Sequence, residues 1–180
     1  MNSTQLLARA WRVAAEQHVD QRRKGERQEP YVNHLAEVAD LVAEATRGTD
    51  PNLVAAAVLH DTVEDTGMTK AKLARLFGAD VAAIVAEVTD NKKLPKAERK
   101  RLQVANASHK TRRAKILKLA DKTSNLRSIA KSPPRDWNLD RQRKYLKFSL
   151  DVAAGLRGSN AWLESELDRA ARTLERKLAG

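Results

Sequence analysis

The chain has no cysteine among its 180 residues. That excludes a disulfide framework and a thiolate zinc site, and it fits a reducing compartment, so the cytoplasm is the expected location. Aromatic residues are scarce: three Trp, two Tyr and two Phe. No apolar run approaches the roughly 18 residues that a membrane span requires, so no membrane partner is expected. Met1-Asn2-Ser3-Thr4 carries no basic region leading into an apolar core, so no signal peptide is expected. A glycine-rich phosphate loop, an alternating strand of convincing length, an internal repeat and a low-complexity region are all missing. What is left is one all-α domain of about seven to nine helices, long enough to bury a sizeable core.

The formal net charge is +11. A balance this basic calls for an acidic partner: nucleic acid, an anionic membrane or a phosphorylated small molecule. The few aromatics and the lack of a recognised nucleic-acid motif leave the small molecule as the expected one.

The densest chemistry lies in His60-Asp61-Thr62-Val63-Glu64-Asp65-Thr66, directly after the apolar run Leu53–Leu59. A histidine and three carboxylates at the end of a buried segment are costly to hold unless something positive sits among them. Asp50-Pro51 is a good helix start and Thr66-Gly67 a good stop, so one helix is expected from about 51 to about 65. On it His60 and Glu64 are one turn apart, and so are Asp61 and Asp65. An ion held by the first pair puts the second about one turn away, where a water or a substrate could sit. The plainer alternative is a solvated acidic helix end.

The rest of the chain offers partners. A first helix, 4 to about 19, buries Leu6, Leu7, Ala10, Trp11, Ala14 and Ala15, with His18 at its end. Residues 20–31 form a charged loop in which Arg22-Arg23-Lys24 beside Gly25 suits a phosphate or a stacked base, the alternative being a solvated charge run. A second helix, Tyr31 to about Thr46, carries His34 within an apolar stripe that includes Ala36; neutral imidazole is the commonest transition-metal ligand, the alternative being a core histidine satisfied by a backbone carbonyl. Shorter helices follow over Thr69–Phe77 and from Asp80 to about Val88, then a charged one from Lys96 to about Ser108. In the helix from Thr111 to about Ala130, Asp121 interrupts an apolar line, and Asn125 and Ser128 share its face. A buried aspartate needs a partner; a helix–helix hydrogen-bond network is the alternative. After the turn at Pro133-Pro134, two helices are expected, at about 137–155 and 160–177.

His34, His60-Asp61 and Asp121 stand in the order H…HD…D of the HD superfamily of metal-dependent phosphohydrolases. The likeness goes further. His60–Thr66 resembles the hydrolase signature of the RelA/SpoT family, Tyr31-Val32-Asn33-His34 its first histidine motif, and Lys118–Arg127 (KLADKTSNLR) its last metal motif. Leu94–Gln103 (LPKAERKRLQ) is similar to the stand-alone branch, the small alarmone hydrolases, among them the metazoan SpoT homologues. The resemblance spans roughly residues 5–170 and implies a single HD-type helical domain.

It also implies a manganese-dependent removal of pyrophosphate from the 3′ position of ppGpp or pppGpp, giving GDP or GTP. By motif position, His34, His60, Asp61 and Asp121 would hold the metal, a mixed nitrogen–oxygen set that suits manganese. Glu64 and Asp65 would position and deprotonate the attacking water. Arg23 and Lys24 match the nucleotide-contacting loop, Asn125 and Ser128 the nucleoside contacts. Lys96 and Arg101, with Arg141 and Tyr145, are assigned to the phosphates. Ser124 departs from the family, which often has histidine or an aromatic residue there. The chain has no room for synthetase or regulatory domains, so hydrolysis without synthesis is expected. The alternatives are an HD phosphohydrolase acting on another nucleotide, such as NADPH, and a basic nucleic-acid-binding protein.

Overall fold

The computed structural model describes residues 1–180 as an all-α bundle of ten helices. The centre is α3 (Pro51–Leu59), in which Leu53 and every residue from Ala55 to Leu59 are buried. A helix that is apolar all round has no wet face, so it must be surrounded. Packed around it are α1 (Ser3–Gln17), α2 (Val32–Thr46), α6 (Ala79–Val88) and α8 (Arg112–Lys131). The last helix, α10 (Ala161–Ala179), lies along α8, with α9 (Leu139–Ala154) beside both. The short α5 (Lys70–Phe77) packs on α6, and α7 (Lys96–Asn106) on α9. A single apolar core of 42 buried residues runs through the bundle.

Polar side chains set the helix starts. Asn2 accepts from the Gln5 N–H while the Gln5 side chain accepts from the Asn2 N–H, a reciprocal cap on α1. Asp50 accepts from the Leu53 N–H at 3.0 Å, with Pro51 at the first helical position.

The structure differs from the sequence expectation at the most important point. The single helix expected over about 51–65 breaks after Leu59. His60 and Asp61 form a turn, and α4 (Thr62–Asp65) is one further turn. The Thr62 hydroxyl donates to the Leu59 carbonyl at 2.6 Å, so a side chain competes for a carbonyl that a continuous helix would give to a backbone N–H. Counting α3 and α4 as one broken helix gives nine, within the expected range. The helix expected to reach Ser108 ends at Asn106 and tightens into a 3₁₀ turn, Ala107–His109. Ala15 and Ala36, read as apolar-face positions, are exposed, whereas Val13 is buried.

Residues 18–31 are irregular but not loose. Arg22 and Pro30 form an isolated antiparallel bridge, as do Gly25 and Pro134. The Glu26 N–H reaches the Pro133 carbonyl, and the Arg27 N–H reaches the Ser132 hydroxyl. A Cβ on Gly25 would lie 2.3 Å from the Ser132 carbonyl oxygen, so only glycine lets the loop seat on this turn. The basic loop is thereby fixed against the C-terminal end of α8.

Leu117 in α8 is fully buried. Leu117→Ala should destabilise the protein by roughly 2–5 kcal/mol through lost transfer energy and a residual cavity. Urea unfolding should show a lower midpoint with the slope unchanged; an unmoved midpoint would mean that α8 is not part of the core.

Candidate metal centre and nucleotide cavity

The broken helix, α2 and α8 bring three donors together. The ligand atoms of His34, His60 and Asp121 lie within 4.8 Å of one another, and all three residues are buried. Asp61 borders the group: its Oδ2 is 3.0 Å from His60 Nε2 and 3.7 Å from His34 Nε2. The same oxygen accepts from the Tyr31 hydroxyl at 2.5 Å.

The other ring nitrogens set which way the imidazoles face. His60 Nδ1 lies 2.8 Å from the Ala57 carbonyl, which can only accept. His34 Nδ1 lies 2.9 Å from Ser124 Oγ, and that hydroxyl donates its own proton to Glu37 Oε2 at 2.7 Å. In the neutral rings both Nδ1 atoms are therefore donors and both Nε2 atoms are left with lone pairs. Neither Nε2 makes a well-aligned hydrogen bond, although both are buried and His60 Nε2 lies 3.0 Å from Asp61 Oδ2. Unsatisfied nitrogens facing two carboxylates are costly unless a cation joins them. The nitrogen–oxygen donor set fits a divalent metal ion.

Without that ion, protons and lysines balance the carboxylates. Burial alone would lower the His60 pKa, but the adjacent Asp61 carboxylate, with Asp121, outweighs it and holds His60 up to about 9. His34 goes the other way: burial lowers it, and Asp121 offsets only part of the cost. Burial would raise both carboxylates, yet both lie below the usual range, Asp61 through His60 and Asp121 chiefly through Lys122 and His34. Lys118 and Lys122 are themselves buried, with Nζ atoms 3.7 and 3.9 Å from Asp121 Oδ2. Neither lysine was assigned a role from sequence; the trace was their place in the motif, three residues before and one after Asp121.

Glu64 and Asp65 occupy different surroundings. Glu64 Oε2 accepts from the Asp90 N–H at 3.1 Å, and Oε1 lies 3.8 Å from an Arg99 guanidinium nitrogen. Burial raises the Glu64 pKa, with the nearby Asp90 and Asp61 charges adding to it. Asp65 accepts from the Gln21 amide at 3.0 Å and pairs with Lys92.

A cavity of about 450 Å³ lies beside this centre. Of the residues assigned to substrate from the sequence, Arg23, Lys24, Lys96, Asn125, Ser128, Arg141 and Tyr145 all line it, and so does Asp65. Arg101 does not. It is exposed on the outer face of α7 and is held by both oxygens of Glu98, at 2.8 and 2.7 Å. Lys96 and Lys100 are one turn apart on the face that meets the cavity, and Arg101 is rotated about 100° away. Lys100, Trp137 and Tyr31 are lining residues that the sequence reading did not select. A chain of hydrogen bonds joins cavity to metal centre: Arg23 donates to Asn125 Oδ1 at 2.8 Å, and Asn125 Nδ2 donates to Asp121 Oδ1 at 2.6 Å.

The HD-domain family model matches residues 10–158. Guanosine-3′,5′-bis(diphosphate) 3′-pyrophosphohydrolase MESH1 of Xenopus tropicalis is 46% identical over 163 residues, covering 91% of both chains. The human protein of the same name is 45% identical over 165 residues, covering 92% of both. The solved structure of a metazoan orthologue of SpoT that hydrolyses ppGpp superposes with a TM-score of 0.90 at 42% identity, covering 96% of both chains.

Two outcomes are expected of the metal centre. Ser124→Ala leaves the His34 Nδ1 donor without an acceptor and should weaken divalent-metal affinity about 10–100-fold, measured by calorimetry, whereas Ser124→Thr should retain it. An unchanged affinity in the alanine variant would remove Ser124 as the group that orients His34. Separately, metal binding at pH 7.5 should release about one proton per ion, because His60, held up to about 9, must give up its Nε2 proton to coordinate. The affinity should then rise with pH up to about 9; calorimetry in buffers of different ionisation enthalpy measures the proton count, and a count of zero contradicts the charged His60.

Proposed function

From the premise that the chain belongs to the HD-domain family, we propose that it is a guanosine-3′,5′-bis(diphosphate) 3′-pyrophosphohydrolase, converting ppGpp or pppGpp and water to GDP or GTP and pyrophosphate. The observation that carries this function is the junction between a buried His34–His60–Asp121 cluster and a basic nucleotide-sized cavity, made through Arg23, Asn125 and Asp121. The relatives whose printed names give that activity match over about nine-tenths of their own length.

His34, His60, Asp61 and Asp121 are the proposed metal ligands, and manganese the proposed ion, as the mixed nitrogen–oxygen set favours. When bound, the ion lowers the pKa of water and neutralises phosphate charge. Glu64 is the proposed general base. Its half-buried carboxyl, raised by burial, is closer to the operating pH than an ordinary glutamate, which suits a group that takes and returns a proton. Asp65, tied to Gln21 and Lys92, orients the water. The oxygen of that water bonds to the phosphorus carrying the 3′ oxygen, the P–O3′ bond breaks, and the bonding pair leaves with the 3′ oxygen, which takes up a proton.

In the cavity Arg23 is the proposed guanine contact. Its guanidinium lies 5.7 Å from the Tyr31 ring centre, next to Asn125 and Ser128. Lys24, Lys96, Lys100 and Arg141 supply the positive charge for the 5′-diphosphate, with Tyr145 behind them. The whole chain acts as one domain with a core over about 5–170, the location is the cytoplasm, and the basic balance serves a nucleotide rather than a nucleic acid or a membrane. No helix is long and apolar enough to cross a membrane.

The test is incubation of metal-stripped protein with ppGpp, with and without manganese, following GDP and pyrophosphate. Intact pyrophosphate should appear only with metal. Asp61→Ala and Glu64→Ala should each lower the rate at least about 10²–10⁴-fold, and only Asp61→Ala should also lose the ion. Release of single phosphates, or turnover of NADPH or dGTP in place of ppGpp, would discard the alarmone as substrate. A fully active Glu64→Ala protein would discard the base.

A further inference from the structure

A second cavity, of about 230 Å³, is lined by residues that contact the reacting centre from another side, and it shares no lining residue with the nucleotide cavity. It touches the centre at three points. The Asp90 N–H donates to Glu64, Arg99 lies 3.8 Å from Glu64, and Lys118 lies 3.7 Å from Asp121. Nine of its twelve lining residues are polar or charged, and three of them are cationic.

The charges in it are unevenly committed. Both acids are occupied: Glu87 accepts from the Thr111 N–H at 2.5 Å and from the Thr111 hydroxyl at 2.8 Å, and Asp90 accepts from the Gln103 amide. The bases are not. Arg99 Nε is buried without a partner. Lys118 makes one hydrogen bond, to the Val88 carbonyl at 3.2 Å, out of the three its ammonium can give. Lys110, half-buried, makes one as well, to the Glu87 carbonyl at 2.5 Å. Lys118 faces Asp121 Oδ2 at 3.7 Å, whereas Oδ1 is the oxygen turned toward His34 and His60. A buried ammonium with unused donors beside a polar cavity favours an anion there.

The proposed reaction creates a polyanion at this place. The cations of the nucleotide cavity serve the phosphates that stay on the nucleoside. We propose that the 230 Å³ cavity is the pyrophosphate subsite: Arg99 and Lys118 bind the group being transferred, and Lys110 draws the product outward after the P–O3′ bond has broken. This assignment rests on the pyrophosphohydrolase function, and its ligand class is inorganic pyrophosphate.

Inorganic pyrophosphate itself is the probe, titrated calorimetrically into the manganese-loaded protein and tested as a product inhibitor alongside GDP. Arg99→Gln should weaken pyrophosphate at least about tenfold, the loss of a charge-assisted donor pair. Lys110→Met should weaken it about threefold or more, with Lys110→Arg restoring it, and inhibition by GDP should not move. Wild-type pyrophosphate affinity in both folded variants would overturn the subsite, since the anion would then sit on the metal or in the nucleotide cavity. Equal weakening of pyrophosphate and GDP would overturn it too, as a general charge effect. If ppGpp is not turned over but pyrophosphate binding still falls selectively in both variants, the subsite stands and the substrate assignment fails.

Discussion

Two carboxylates held among buried imidazoles must be matched by positive charge, and much of the local structure follows from that requirement. Asp61 and Asp121 lie at the junction of α2, the broken α3–α4 segment and α8, where water screens them only in part. In the metal-free protein the balance comes from a proton on His60 and from the buried ammonium groups of Lys118 and Lys122. His34, His60, Asp61 and Asp121 would hold a divalent ion in place of that proton, with Asp121 Oδ2 still facing the lysines. The same arrangement offers a donor set for a divalent ion and leaves cations close to the carboxylates.

Holding the imidazoles in the right tautomer takes further structure. The His60 ring is fixed by a carbonyl of its own helix, so the break after Leu59 leaves it anchored to α3 while Asp61 turns away. His34 is fixed across the helix interface by Ser124, and Ser124 by Glu37. Glu37 also meets Arg127 at 3.1 Å, and Arg127 meets Glu166 on α10. The ring orientation is therefore tied to the packing of three helices. Ser124 acts there through its hydrogen bonds to His34 and Glu37.

Much of the +11 charge finds a local purpose. Arg22, Arg23, Lys24, Lys96, Lys100, Arg141 and Lys144 converge on one cavity from three separated segments of the chain. They stay there because the loop is seated through Gly25 on the Ser132–Pro134 turn and because α7 turns Lys96 and Lys100 inward. Like charges crowded into one cleft repel each other. They are the remainder of a balance that a polyphosphate completes.

Period and punctuation placed most of the helices. The Asp50-Pro51 start, the apolar run Leu53–Leu59 and the polar interruption at Asp121 act over a few residues, and local rules govern them. His34, His60 and Asp121, which the fold brings together, and most of the expected cavity residues were legible by resemblance, since their residue types stand in a recognisable order. Tertiary structure decided the rest. The Thr62 hydroxyl broke a helix that periodicity made continuous. One step of helical rotation put Lys100 in the cavity and left Arg101 on Glu98. Ser124, Glu37, Lys118 and Lys122 became parts of the metal centre only because α2 and α8 meet there. Sequence alone determined an all-α chain with a metal-competent set of histidines and aspartates. Which donors face inward, which cations lack a partner and where a second anion would fit depend on contacts between residues far apart in the chain, and no local pattern encodes those distances.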